Sequence, residues 1–186
     1  MAWTVRDIEL DRDIIHAIER HDDRSAAILA QLYLEDRATS TLKAHLGEDR
    51  PFANFASKID SLHAAGIFEK QITDILHVIR KIRNAFAHEI ASLTFDTPCI
   101  SELCSCLFSI EFLRGFRSWI EIQLKLHPEL LTMSVALVDS MLAAPNTPRN
   151  SYMNTVKMML MLLELAKLTA LMKNTDTLEI VRGKTS

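Results

Sequence analysis

The sequence predicts an all-α protein, and three observations support this fold class. Only four glycines and five prolines occur among the 186 residues, so few positions favour tight turns. Leu, Ala, Ile and Met are frequent, and these residues favour helices. Apolar residues also recur three or four positions apart through long segments, as they do on the buried face of a helix. Together these features favour helices packed around one core.

The overall charge and hydropathy exclude several classes of protein. The formal net charge is −3 at pH 7, which argues against broad electrostatic attraction to nucleic acid. The most apolar segment, residues 156–172, contains Lys157, Glu164 and Lys167, so a membrane span is not expected. The first residues lack the apolar stretch of a signal peptide. We therefore expect a cytoplasmic protein with no membrane partner.

The cysteines and histidines predict neither a disulfide framework nor a metal site. Cys99, Cys104 and Cys106 form no Cys-x-x-Cys pair, and Cys104 shares a helical stripe with apolar residues. Reduced thiols, with Cys104 in the core, are the simplest interpretation. The histidines show no metal-ligand spacing either. No metal and no cofactor is therefore expected.

The helices can be placed along the chain from apolar spacing and from capping residues. Gly47 and Gly66 end two of them, and Thr97-Pro98 is suited to a cap and first turn. Residues 145–150, with two prolines, form the clearest linker. The predicted helices cover residues 13–20, 22 or 23 to 46, 52 to about 65, 69–88, 98 to about 126, 128 to about 144, and 151–173.

These elements suggest three parts. Residues 1–126 form a compact helical bundle core. Residues 127–173 form C-terminal helices that pack on this core or on a second subunit. The polar tail, residues 174–186, is expected to be frayed or loosely attached.

The helix over residues 69–88 has two distinct faces, because each residue turns a helix by about 100°. Its predicted buried sector contains Ile72, Ile75, Leu76, Ile79, Ile82 and Phe86. The opposite face has polar residues at spacings of four, three and four, which we call the polar stripe: His77, Lys81, Asn84 and His88. The stripe is expected to face solvent or a second subunit.

Arg83 is the exception on this helix. It projects only about 40° from Ile79, at the edge of the buried sector. A guanidinium there needs a partner or access to water. Glu35 and Asp36 flank one apolar sector of the helix over residues 23–46, and either could be its bidentate partner. This structural interpretation makes Arg83 half of an Arg–carboxylate pair and His88 a helix-terminal histidine.

The helix over residues 23–46 has two faces that could be buried. The apolar sector, which we expect to pack against the helix over residues 69–88, contains Ile28, Leu29, Leu32, Leu42 and Leu46. A second face is rich in small residues and contains Ala27, Ala30, Leu34, Ala38 and Thr41. This small-residue face would let another helix approach closely, which places this helix in the middle of the fold.

Half of the chain resembles the mannitol operon repressor family of bacteria. The similar segments are FANFASKIDSLHAAGI over 52–67, ILHVIRKIRNAFAH over 75–88 and LTFDTP over 93–98, preceded by the helix with Leu34-Glu35-Asp36. The order of these elements carries the resemblance as much as any single residue. The chain also resembles the wider HEPN superfamily, whose signature is an Arg, often followed by Asn, and a His a few residues later. Arg83, Asn84 and His88 fit this signature.

The resemblance implies a helical bundle with a C-terminal helical extension, commonly assembled as a homodimer. In catalytic HEPN proteins the motifs of two subunits line one cleft and cleave RNA without metal. Asn84 and His88 would then face the cleft, and Arg83 would support or contact a phosphate. Histidine suits proton transfer because its unperturbed pKa lies near neutrality.

Two functions are therefore expected from the sequence. The first is a regulatory protein of the mannitol-repressor type that acts through a protein partner as a helical homodimer. A direct DNA reader is not expected, because no basic recognition helix is present and one position of the Arg80-Lys81-Ile82-Arg83 cluster faces the core. The alternative is a metal-independent, toxin-like ribonuclease that acts on RNA through Arg83, Asn84 and His88. Glu35, Asp36, His77 and Lys81 would be supporting residues.

Overall fold

A computed structural model describes residues 13–47, 51–89, 92–109, 112–118 and 138–183. All regular secondary structure in these ranges is helical, which confirms the all-α prediction. The helices, in chain order, are α1 over residues 13–19, α2 (Asp23–Leu46), α3 (Phe55–Ala64), α4 (Lys70–His88), α5 (Pro98–Ser105), α6 over residues 112–118, α7 over residues 138–143 and α8 (Pro148–Gly183).

The ends of α2 and α3 follow the capping residues in the sequence. The Asp22 carboxylate accepts a hydrogen bond from the Ser25 amide at 3.1 Å and so caps the first turn of α2. Gly47 ends α2 with φ of 90°, and Gly66 closes the turn after α3 with φ of 66°. Both angles lie in the left-handed region that glycine adopts without a steric penalty. The predicted ends of these helices are confirmed.

The predicted single helix from residue 98 to about 126 is wrong where the structure describes it. Helix α5 ends at Ser105, and the described part of α6 begins at Phe112, whose amide donates a hydrogen bond to the Ser109 hydroxyl at 3.2 Å. Between them Leu107 and Phe108 are both buried in an irregular segment. Ser109 is thus a helix cap that the apolar pattern concealed. Residues 119–126 lie outside the described ranges.

Helix α8 lies in the centre of the bundle, against α2, α4 and α5. Nine consecutive residues, 152–160, are buried, so this part of α8 is enclosed on all sides. The Tyr152 hydroxyl donates a hydrogen bond to the Ala27 carbonyl at 3.0 Å, and the Thr41 hydroxyl donates one to the Leu163 carbonyl at 3.1 Å. These bonds join the two helices through the small-residue face of α2. The prediction that this face lies in the middle of the fold is confirmed.

The other predicted face of α2 is only partly buried, and its predicted contact with α4 is wrong at two positions. Leu29 is 37% exposed and Leu32 is 48% exposed, whereas Leu42 is fully buried. The physical reason is that α2 has turned its small residues toward α8. The rotation that buries Ala30 leaves the side of α2 with Leu29 and Leu32 in solvent.

An aromatic cluster joins the end of α4 to α8 through the connector that precedes α5. The rings of Phe86 and Phe95 lie 5.1 Å apart between centroids, and so do those of Phe95 and Tyr152. The Phe95 amide also donates a hydrogen bond to the Asp23 carboxylate at 2.8 Å, and Arg149 forms an ion pair with that carboxylate. The connector is thereby fixed between α2, α4 and α8.

The three predicted parts of the chain stay a prediction, but one predicted boundary differs. Helix α8 continues to Gly183, beyond the expected end at residue 173, so the backbone of the predicted tail is helical through residue 183. Residues 127–137 lie outside the described ranges. Among the helices that the structure describes, none is long and apolar enough to cross a bilayer.

Enlarging a small residue between α2 and α8 should destabilise the protein. Ala30 is fully buried, and Ala30→Leu adds three carbon atoms where the helices approach closely. We expect a loss of about 1–3 kcal/mol in the free energy of unfolding, measured by urea denaturation. The exposed control Leu32→Ala should change it by less than about 0.5 kcal/mol. Equal, small effects of both variants would contradict the packing of α8 on this face.

Candidate functional site

The candidate site lies on the C-terminal half of α4, and contacts at both sides hold this segment. Phe86 packs in the aromatic cluster, and the Arg24 side chain donates a hydrogen bond to the Glu89 carbonyl, directly after the helix. This second contact satisfies a carbonyl at the helix end and ties it to the first turn of α2. The end of α4 is therefore positioned by the core and by α2.

The structure places the polar stripe at or near the surface of α4. Lys81 and His88 are exposed, and His77 and Asn84 are half-buried. The His77 imidazole lies 3.3 Å from the Asp60 carboxylate of α3. The apolar spacing did not reveal this contact, because it depends on how α3 packs beside α4. The predicted orientation of the stripe agrees with the structure.

The predicted carboxylate partner of Arg83 is wrong. The Arg83 side chain is half-buried, and its Nη1 donates a hydrogen bond to the Asn84 Oδ1 at 3.1 Å. Its Nε is buried and has no hydrogen-bond acceptor among the residues described. Glu35 instead forms an ion pair with Lys58 of α3 at 2.8 Å, and Asp36 is exposed.

The orientation of α2 explains this difference. Because α2 presents its small residues to α8, Glu35 falls on the side of the helix that faces α3. The Lys58 ammonium forms an ion pair with the Glu35 carboxylate there, and both side chains are mostly shielded from solvent. Arg83 is thus left with a neutral amide as its recorded partner. Glu35 and Asp36 do not contact the motif, although their predicted supporting role in function stays a prediction.

The Arg83 guanidinium also lies close enough to the core to affect Tyr152. Burial raises the pKa of the Tyr152 hydroxyl far above its usual value, and nearby Cys104 adds to this rise. The positive charge of Arg83 opposes both effects, because it favours the ionised phenol. Arg83 therefore sits at the rim of the core, with the polar stripe on one side and the aromatic cluster on the other.

The charges on this part of α4 make it suitable for an anion. Arg80, like Arg83, has a buried Nε without an acceptor, and neither forms an ion pair within the described parts of the chain. Lys81 adds an exposed positive charge. Because Asn84 accepts from Arg83 through its oxygen, its amide NH₂ remains available as a donor. Guanidinium and amide donors side by side match the oxygens of a phosphate group.

The described residues contain no group of three or more His, Cys, Asp or Glu side chains that could hold a metal ion.

The structure brings Arg83 and Asn84 into direct contact, although their Cα–Cβ directions differ by about 100°. A helical projection shows directions only, and it missed this contact because a guanidinium is long enough to bend toward its neighbour. His88 stands one turn beyond Asn84, exposed at the last residue of α4.

Comparison with known proteins identifies a family for the part of the chain that contains this motif. Residues 13–105, half of the chain, match the family described as a domain of unknown function, DUF4145. The chain belongs to the DUF4145 family. Residues matching this family run from α1 to the last residue of α5, and so include Arg83, Asn84 and His88 but not α8. No curated protein and no solved structure matches the chain.

The description of the DUF4145 family states no activity. The resemblance to the mannitol operon repressor family and to the HEPN superfamily therefore stays a prediction. The matched region contains α2 but not α8, the helix on which α2 packs, because α8 lies beyond residue 105. In this chain the fold of the matched region is completed by α8.

Arg83 should contribute little to stability, since no carboxylate would lose its partner on substitution. We expect Arg83→Ala to change the free energy of unfolding by less than about 1 kcal/mol. Asp23→Ala should cost about 1–3 kcal/mol, because it leaves the Phe95 amide without its acceptor and removes the carboxylate that pairs with Arg149. Urea denaturation of both variants measures the difference. A larger loss for Arg83→Ala than for Asp23→Ala would contradict this site geometry.

Proposed function

We propose that this chain binds RNA through Arg83, Asn84 and His88 and cleaves it as a metal-independent ribonuclease of the HEPN type. One observation carries the proposal: the Arg83 guanidinium is half-buried, hydrogen-bonded to Asn84 and not neutralised by a carboxylate of the described residues. A guanidinium with a carboxylate partner would be structural. One that has only a neutral amide partner keeps its charge and most of its donors for a phosphate.

The roles of the three side chains follow from their chemistry. The Arg83 guanidinium and the Asn84 amide donate hydrogen bonds to the non-bridging oxygens of the phosphate, and so stabilise the charge that develops on them. The exposed His88 imidazole takes the proton from the ribose 2′-hydroxyl. The 2′-oxygen then attacks phosphorus, the bond to the 5′-oxygen breaks, and that oxygen receives a proton. The products are a 2′,3′-cyclic phosphate and a 5′-hydroxyl.

A second copy of the chain completes this site in the proposal. One imidazole can begin the reaction as a base, and a second, protonated imidazole can supply the proton to the leaving oxygen. Two copies related by a two-fold axis would provide both, because a symmetric interface brings the same surface together from each subunit. The expected assembly is therefore a homodimer with the ends of two α4 helices on one cleft.

RNA cleavage in the presence of a chelator tests the proposal. The wild-type protein should produce fragments with cyclic phosphate ends from single-stranded RNA, and it should not cleave a 2′-O-methyl oligonucleotide. His88→Ala should lower the rate by about 100-fold or more, the usual contribution of a proton-transfer group. The exposed controls His16→Ala and Arg20→Ala should cleave at the wild-type rate. The proposal is wrong if the wild type does not cleave RNA, or if His88→Ala cleaves equally well.

A second candidate is a regulatory protein of the mannitol-repressor type that acts through protein contacts as a helical dimer. The exposed Leu29 and Leu32 side chains on α2 favour it, since two neighbouring leucines in solvent can pair with an identical surface. In this candidate the partner on α2 is a second copy of the chain, and the polar stripe of α4 takes part in contacts rather than in chemistry.

Sedimentation velocity at micromolar concentration tests the dimer of the second candidate. The wild-type chain should sediment as a dimer, and the double variant Leu29→Ser/Leu32→Ser should weaken dimerisation by at least about tenfold, since each buried leucine contributes roughly 1.5–3 kcal/mol. Leu171→Ser, a control at a leucine of similar exposure on α8, should not change the association. A monomeric wild type, or a dimer unaffected by the double variant, would contradict a dimer formed through α2.

A further inference from the structure

A cavity of about 380 Å³ lies where α5, α7 and the start of α8 meet. Its volume falls within the range of roughly 300–1,000 Å³ that is usual for small-molecule sites. The rim is formed by exposed residues such as Ser105, Ser109 and Asn146, and the floor by buried residues such as Met141 and Asn154. The cavity therefore opens to solvent and ends inside the core.

The described residues that line this cavity are all uncharged. Leu107, Phe108, Leu113 and Met141 are the buried apolar side chains of its lining. Cys104 also contributes to the lining, and burial raises the pKa of its thiol to about 12, so the thiol stays protonated and neutral at pH 7. A charged ligand would lose its hydration here without gaining an ion pair. The lining thus favours an uncharged ligand.

Asn154 provides the polar feature that points to a ligand. Asn154 is only 8% exposed, and its Nδ2 donates a hydrogen bond to the Met141 carbonyl at 3.1 Å. This bond fixes the orientation of the amide. Asn154 lines the cavity, and its Oδ1 accepts no hydrogen bond from the described residues. A buried acceptor beside apolar side chains is suited to one donor on a ligand.

We propose that this cavity binds a small, uncharged aromatic molecule whose single N–H or O–H group donates a hydrogen bond to the Asn154 Oδ1. The ring would lie against Phe108 and Leu113, which are buried at the cavity wall. An aromatic ring gains from burial against such side chains, and it can carry one polar edge toward an acceptor. The site is separate from Arg83, Asn84 and His88, and it does not depend on the proposed ribonuclease activity.

Binding of three related probes to the full chain tests this inference by protein-observed NMR. Indole carries one N–H donor, N-methylindole lacks it, and indole-3-acetate adds a negative charge. Indole should bind saturably at millimolar concentration or below. N-methylindole should bind about tenfold more weakly, because it would leave the buried Asn154 acceptor unpaired. Indole-3-acetate should bind at least tenfold more weakly than indole.

Two variants locate the binding. Ser105→Trp places a large side chain at the exposed rim and should abolish indole binding while the circular dichroism spectrum stays that of the wild type. Asn154→Leu should bind indole and N-methylindole equally, since it removes the acceptor that distinguishes them. The inference is overturned if indole does not saturate, if the three probes bind alike, or if a folded Ser105→Trp protein binds indole as the wild type does.

Discussion

The close contact between α2 and α8 is the constraint on which the rest of this structure depends. Alanine and threonine side chains on α2 let the backbones approach, and hydrogen bonds from Tyr152 and Thr41 join the two helices inside the core. Because α8 is enclosed along residues 152–160, the other helices must arrange themselves around it. The orientation of α2 then decides which of its remaining side chains face α3, which face α4 and which face solvent.

The candidate site is a consequence of that orientation. Turning the small residues of α2 toward α8 brings Glu35 to Lys58 rather than to Arg83. It also lets Tyr152 pack with the aromatic cluster, which holds the end of α4 and keeps Arg83 at the rim of the core. The guanidinium therefore contacts Asn84 within its own helix, and His88 stays exposed beside them. A packing preference far from the motif thus determines whether its arginine is neutralised.

Much of the fold could be predicted from local signals, whereas the partners of side chains could not. The ends of α2, α3 and α4 follow from Asp22, Gly47 and Gly66 and from apolar periodicity, all of which act over a few residues. The choice between the two faces of α2 depends on a helix more than 100 residues away in the chain, so the sequence left both faces plausible. That choice also decides whether Arg83 has a carboxylate partner, which local patterns in the sequence do not show.

The availability of the Arg83 guanidinium for a phosphate is the central claim of this account, and arginine-selective NMR tests it most directly. The Nε–H resonance of Arg83, assigned with Arg83→Lys, should be followed during titration with a 2′-O-methyl RNA oligonucleotide that cannot be cleaved. We predict a saturable shift of this resonance, because the phosphate oxygens would accept hydrogen bonds from the guanidinium. An Arg83 resonance that stays unchanged at saturating RNA would contradict the account.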